Sequence, residues 1–400
     1  MKLWLTNLCF VSFTVAAFAA SDWRSFRGDG SGVSADVAPP TKFSADDGVA
    51  WKVKLPCNGV SSPIVVKDKV IVTSSSGAKE DRLHTLCFDA KKGKLLWERQ
   101  AWATGRTLCH TSSAVAANTA ASDGTRVFAF FSSNDLLAYD LNGELLWFRG
   151  LALDYPEAGN DVGMSSSVAV VDGVVIVQSE SQGDSFALGL DAKTGETLWH
   201  IPRPKEANWS SPTVAAGANG KPLVLLTNAG GVTARDPKSG TERWVNAKEC
   251  DGISSAVVSG DVAFVPGGGL RAIKFGDSEP EVLWSNAKLN AGAASPVVHK
   301  NLVYVINRAG VLNAANTKTG ESVWQLRLKG QFWATPVIAG DTMYVSAKDG
   351  NIQTVDLSGE KGKLIADNKL GGEVMATPAI ADGALYVRVG GELWKIAAGK

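Results

Sequence analysis

Four hundred residues, 45% of them hydrophobic and 20% charged, can bury a sizeable core, which excludes a disordered chain. Forty Lys and Arg balance forty Asp and Glu, so no summed positive field exists to hold nucleic acid or an anionic membrane surface. The 42 glycines, about one residue in ten against roughly 7% in ordinary chains, suit a fold with many tight turns.

At the amino end, Lys2, an apolar stretch from Leu8 to Phe18, and Ala17 and Ala19 at an A-x-A spacing predict a secretory signal peptide over residues 1–20. No later run approaches the roughly 20 apolar residues of a membrane span. Cys9 lies inside the apolar stretch rather than at its end, so no lipid anchor is expected. The mature protein is therefore expected to be a monomer, secreted or periplasmic. Residues 21–48 read as an ordered strap, whose Arg27-Gly28-Asp29 tripeptide is too common by chance to signal adhesion.

From residue 49 to residue 400 the chain repeats itself. A short motif recurs at Ser61-Ser62-Pro63, Ser112-Ser113-Ala114, Ser165-Ser166-Ser167, Ser210-Ser211-Pro212, Ser254-Ser255-Ala256, Ala294-Ser295-Pro296, Ala334-Thr335-Pro336 and Ala376-Thr377-Pro378. The intervals of 40 to 53 residues match a four-stranded propeller blade. Each unit carries alternating strands, a glycine turn and a tryptophan, as in Asp191-Ala192-Lys193-Thr194-Gly195-Glu196-Thr197-Leu198-Trp199. Comparable turns precede Trp97, Trp147, Trp244 and Trp324. Blade five reaches Trp284 through a less regular turn and blade seven has Leu364-Ile365 instead, so those two contacts are expected to be weak. The tryptophans are read as blade-to-blade packing. The last repeat ends after its third strand near Glu392–Ile396, and Trp51 precedes the first motif. Val49 to Leu55 is thus predicted to supply the missing outer strand. The fold class is all-β, an eight-bladed propeller of four-stranded antiparallel blades closed by an N-terminal strand.

Extra chain follows Trp97 and Trp147, and long second-to-third-strand connections are predicted from Ser74 to His84 and from Gln178 to Phe186. A binding mouth is therefore expected over blades one to three. Three residues before each motif end lie Val60, Thr111, Met164, Trp209, Ile253, Ala293, Trp333 and Met375, an apolar collar. Just before them come His110, Asn208 and Phe332, then Asn58, Cys109, Asp251, Gln331 and Glu373. The candidate ligand-binding residues are His110, Met164, Asn208, Trp209, Asp251, Phe332, Trp333, Glu373 and Met375. The same pattern also describes a mouth plugged by its own side chains. His110 is the best acid/base candidate. Cys57 and Cys109 are predicted to form a disulfide between neighbouring blades, the alternatives being four reduced thiols or a metal held by Cys109 and His110. Asp154 to Asp161 could offer oxygens to a cation, though solvated loop charges are the default, and no metal site is expected.

The strand, the Asp-Ala-x-Thr-Gly-x-x-x-Trp turn and the small-Ser-Pro strand together resemble the pyrroloquinoline-quinone (PQQ) repeat propellers, from Val49 to Lys400. The opening, Asp22 to Gly30, also looks like secreted PQQ-like repeat proteins of environmental bacteria. The resemblance implies either a non-enzymatic member of the BamB-like type or a quinoprotein dehydrogenase of alcohols or sugars. The dehydrogenases carry an adjacent-cysteine disulfide and a calcium site beside a catalytic Asp. This chain has no Cys-Cys pair and no acidic cluster that matches. The expectation is a non-catalytic binding or scaffolding propeller without cofactor, taking a protein, small-molecule or polysaccharide partner at its mouth. A small PQQ-dependent oxidoreductase using PQQ with calcium is the alternative.

Overall fold

The computed structural model describes residues 22–217, 220–276 and 279–398. The expected signal peptide lies outside them. Eight antiparallel sheets follow one another along the chain, each a blade whose four strands run from the channel outwards. Blade one is Ile64–Val66, Lys69–Ser76, Arg82–Asp89 and Leu95–Trp102. The inner strands of blades two to eight are Ala121–Ser122, Ala169–Val171, Thr213–Ala216, Val257–Ser259, Val297–His299, Val337–Ala339 and Ala379–Ala381. Among the described residues α-helix is confined to one turn, Leu151–Asp154, and no helix is long and apolar enough to cross a membrane.

Blade eight takes its first three strands from the end of the chain and its outer strand, Val49–Lys54, from the start of the ring. Lys52 faces Trp394 and Val53 faces Leu393, antiparallel, as the repeat arithmetic predicts. The inner strands of blades one and eight touch, so the ring closes on itself.

Because each blade lies between two others, its middle strands are buried on both faces, and Val174–Ser179 has no exposed residue. The outer strands invert this pattern: in Leu145–Gly150, Trp147 is the buried residue. A β-bulge just before the tryptophan position turns that side chain inward, and it recurs in all eight outer strands, Val49–Lys54 included. The indole then lies on the glycine turn of the next blade. Asp191 holds that turn by accepting the N–H groups of Lys193 and Thr194, and Gly195 takes φ +75° beneath Trp147. The Trp147 Nε1–H donates to the carbonyl of Ala192 at 3.2 Å. Trp51, Trp97, Trp199 and Trp284 donate in the same way to Ala90, Leu141, Pro237 and Thr317.

Trp284, expected to make a weak contact, is only partly buried where Trp97, Trp147, Trp199, Trp244 and Trp324 are buried, although it keeps a 2.8 Å bond to Thr317. Trp244 of blade four has no partner for its indole N–H among the described residues and stacks on Phe275, with centroids 5.6 Å apart. In blade seven the residue after the bulge, at the tryptophan position, is Ala366, which faces Thr354, while Leu364 lies before the bulge and is exposed, so no indole packs there and the sequence placed the substitution two residues early.

The strap crosses the face opposite the mouth. Trp23 bridges to Val65 in blade one, Ser122 in blade two donates to the carbonyl of Arg24, and Val33–Ser34 adds a parallel strand beside Val337–Ala339 of blade seven. The Phe43 N–H then reaches Asn368 at 2.9 Å. Trp23 and Phe43 belong to the core that joins blades one, seven and eight, so the strap is part of the fold.

Candidate functional site

Where each chain segment enters its inner strand, one hydroxyl per blade faces the channel: Ser62, Thr119, Ser167, Ser211, Ser255, Ser295, Thr335 and Thr377. The backbone N–H of each donates to the hydroxyl of the next blade at seven junctions, over 2.9 to 3.2 Å. This band of bonds is the physical reason for the repeated Ser or Thr. Its oxygen replaces the ladder partner that a twisted inner edge cannot supply.

Two residues before each hydroxyl stands a collar residue: Val60, Ala117, Ser165, Trp209, Ile253, Ala293, Trp333 or Met375. Collar and hydroxyls together line a cavity of about 410 Å³ on the ring axis. The aromatic lip is half open, with Trp333 46% exposed. Trp209 is turned across the mouth and its Nε1–H donates to the carbonyl of Gly163 at 2.7 Å. Phe26 of the strap closes the floor, because it lines this cavity and also a second one on the strap side.

Of the expected ligand-binding residues, His110, Trp209, Trp333 and Met375 line the cavity. Met164, Asn208 and Phe332 do not. They occupy equivalent positions one residue before the collar, where side chains turn down into the blades, and all three are buried. Asn208 is spent on the carbonyl of Thr227 and the hydroxyl of Ser210. Asp251 accepts the N–H of Ile253, and Glu373 pairs with Lys348 at 3.3 Å, so both stand outside the lining.

The sequence register is displaced in blades two and three. Ser112-Ser113-Ala114 is a loop, and the true motifs are Asn118-Thr119-Ala120 and Ser166-Ser167-Val168. Ala117 and Ser165 therefore replace Thr111 and Met164 in the collar. His110 belongs to the insertion before blade two, which lies across the mouth. Its Nδ1 accepts the N–H of Ser112 at 3.1 Å and lies 2.8 Å from that residue's hydroxyl. This leaves Nε2 as the nitrogen that carries the proton in the neutral ring.

The expected disulfide is absent: Cys57, Cys87, Cys109 and Cys250 are all free. The displaced register explains it, because Cys109 sits on the insertion and packs towards Gly163, while Cys57 lies beside Ser76 and Arg388. The oxygens of the loop after blade two are also occupied, Asp154 by Arg149 and Asp161 by Arg106. The Ser74 to His84 connection is largely strand, with Ser74 paired to His84. One cluster there escaped the sequence reading. The buried His84 lies 2.7 Å from Ser76 Oγ and 2.6 Å from Glu98 Oε1. Three separate strands supply those residues, and they lie outside the lining of the axial cavity.

A family model described as outer membrane protein assembly factor BamB matches residues 33–163, 157–263 and 273–361. The BamB of Shewanella oneidensis is 22% identical over 349 residues, covering 86% of this chain and 71% of that protein. The BamB of Yersinia pestis is 24% identical and covers 66% of this chain and 65% of its own. Among solved structures, BamB from Moraxella catarrhalis superposes with TM-score 0.61 at 17% identity over 88% of this chain and 97% of its own. The quinohemoprotein alcohol dehydrogenase from Comamonas testosteroni gives 0.68 at 13% identity over 95% and 81%. These superpositions establish the shared eight-bladed fold, and with the family match over most of its length the chain belongs to the BamB family of PQQ-repeat propellers.

Proposed function

We propose that the protein is a non-catalytic binding or scaffolding propeller of the periplasm or extracellular space, which takes an apolar or aromatic group of a partner protein between Trp209 and Trp333. The carrying observation is the lining itself. An apolar collar with two aromatic lips, a ring of hydroxyls and one histidine make a recognition pocket. The relatives named as assembly factors support a protein as the partner.

The lining residues do not fit PQQ with calcium. No Asp, Glu, Asn or Gln lines the cavity among the described residues, so nothing there would hold the metal. Equilibrium dialysis with PQQ and calcium, followed by dye-linked oxidation of alcohols and sugars, tests the reading. We expect no turnover. Stoichiometric quinone retention with turnover would replace it by an oxidoreductase.

A further inference from the structure

We propose that the throat of the channel is an oxyanion site, in which the hydroxyl ring, backed by the buried guanidinium of Arg27, binds a carboxylate or phosphate group of a ligand entering by the mouth. The inference rests on the reading of the mouth as a binding site and names the chemistry of its deepest part.

The direction of the hydrogen bonds supplies the first argument. Seven of the ring hydroxyls each accept a backbone N–H from the preceding blade, which leaves each O–H as a donor. Among the described residues none of them donates to a protein acceptor, and all of them line the cavity. A hydroxyl that already accepts a hydrogen bond is polarised towards donating a stronger one. The throat is thus a circle of hydroxyls whose O–H groups can turn towards a ligand on the axis.

Charge supplies the second, independent argument. No charged side chain lines the cavity among the described residues, but a cation lies directly behind its floor. Arg27 is 1% exposed, and its Nη2 donates to the carbonyl of Ala256 at 2.8 Å, one residue after Ser255 of the ring. Among the described residues its Nε and Nη1 have no protein partner. Its guanidinium lies 5.2 Å from the ring centroid of Phe26, which forms the floor. Burial lowers its pKa to about 10, against a smaller opposing effect of Asp29, so it stays charged at neutral pH. A cation held by the hydroxyl oxygens would face this charge across a poorly screened interior, whereas an anion would be drawn to it. Burial also removes Arg27 from any role in surface adhesion.

The test titrates the purified protein with sodium acetate and, separately, inorganic phosphate at ionic strength held constant with sodium chloride, following heat and the 13C-methyl signals of methionine. The result expected is saturable binding of at least one oxyanion, with a shift of Met375 in the cavity wall and none of Met343 in the core. The better-bound probe tells a carboxylate-bearing ligand from a phosphate-bearing one. Acetamide, the neutral counterpart of acetate, should bind about tenfold or more weakly, and Arg27→Gln should weaken the oxyanion by a similar factor while Arg27→Lys restores it. Should Arg27→Gln not fold, the Met375 shift in the unaltered protein decides. No saturable binding, or binding that leaves Met375 unmoved, would overturn the oxyanion site. The mouth reading survives that failure if a partner still cross-links at the lip, so the two are told apart.

Discussion

The indole N–H of Trp209 donates to the carbonyl of Gly163 at 2.7 Å, which ties the aromatic lip of blade four to the insertion between blades two and three. Lip and insertion are therefore one unit. Trp209→Phe keeps the ring and removes the bond, and should cost about 1 kcal/mol of stability. Amide exchange should quicken around Asp161 to Gly163 and remain unchanged in blade six. Unaltered exchange there would show that the bond does not hold the loop.

The glycine turns under the tryptophans make a second, paired prediction. A Cβ on Gly195 would sit 2.7 Å from the Trp147 ring at φ +75°, while one on Gly371 at φ +78° would meet nothing within 4 Å. Gly371→Ala should cost about 1 kcal/mol from backbone strain alone. Gly195→Ala should cost about 2–3 kcal/mol, because the blade contact must also shift. Thermal unfolding of both variants, with equal Tm losses, would refute the stacking role.

Ring closure predicts an order of stabilities. A chain beginning at Gly59 lacks Val49–Lys54 and exposes the edge of Glu392–Ile396. It should aggregate or melt well below a chain beginning at Asp47. The Asp47 chain should in turn melt below one beginning at Asp22, because Trp23 and Phe43 of the strap are core residues.

The free cysteines should differ in reactivity. Burial pushes the Cys87 thiol up to about 12 and that of Cys250 up to about 11, so both should resist iodoacetamide in the native protein at pH 8. Cys57 and Cys109, half-buried and raised less, should be alkylated first and faster as pH rises. Peptide mapping of protein exported into an oxidising compartment checks this. A recovered Cys57–Cys109 disulfide would contradict it.

The blades were legible because each is a local, periodic unit: the turn at Asp191 to Gly195 and the tryptophan that follows it announce a strand pair without reference to anything distant. Ring closure followed from counting strands. The register failed in blade two where an insertion supplied a decoy, since Ser112-Ser113-Ala114 imitates the motif that Asn118-Thr119-Ala120 fulfils, and this error carried Thr111 and the Cys57–Cys109 pair with it. In blade three a run of three serines hid a one-residue slip that put Met164 in place of Ser165. The floor of the channel was invisible for a different reason. Phe26 and Arg27 acquire their places through a contact with Ala256, 229 residues away, which no local pattern encodes.

The most direct test of the mouth as a partner-binding site places a photo-cross-linking amino acid at position 375 in the collar or at position 146 on the outer edge of blade two, in cells exporting the full chain. The account predicts a discrete adduct from position 375 that disappears with Trp333→Ala, and none from position 146. Equal adducts from both positions, or an adduct at 375 that Trp333→Ala leaves intact, would contradict it.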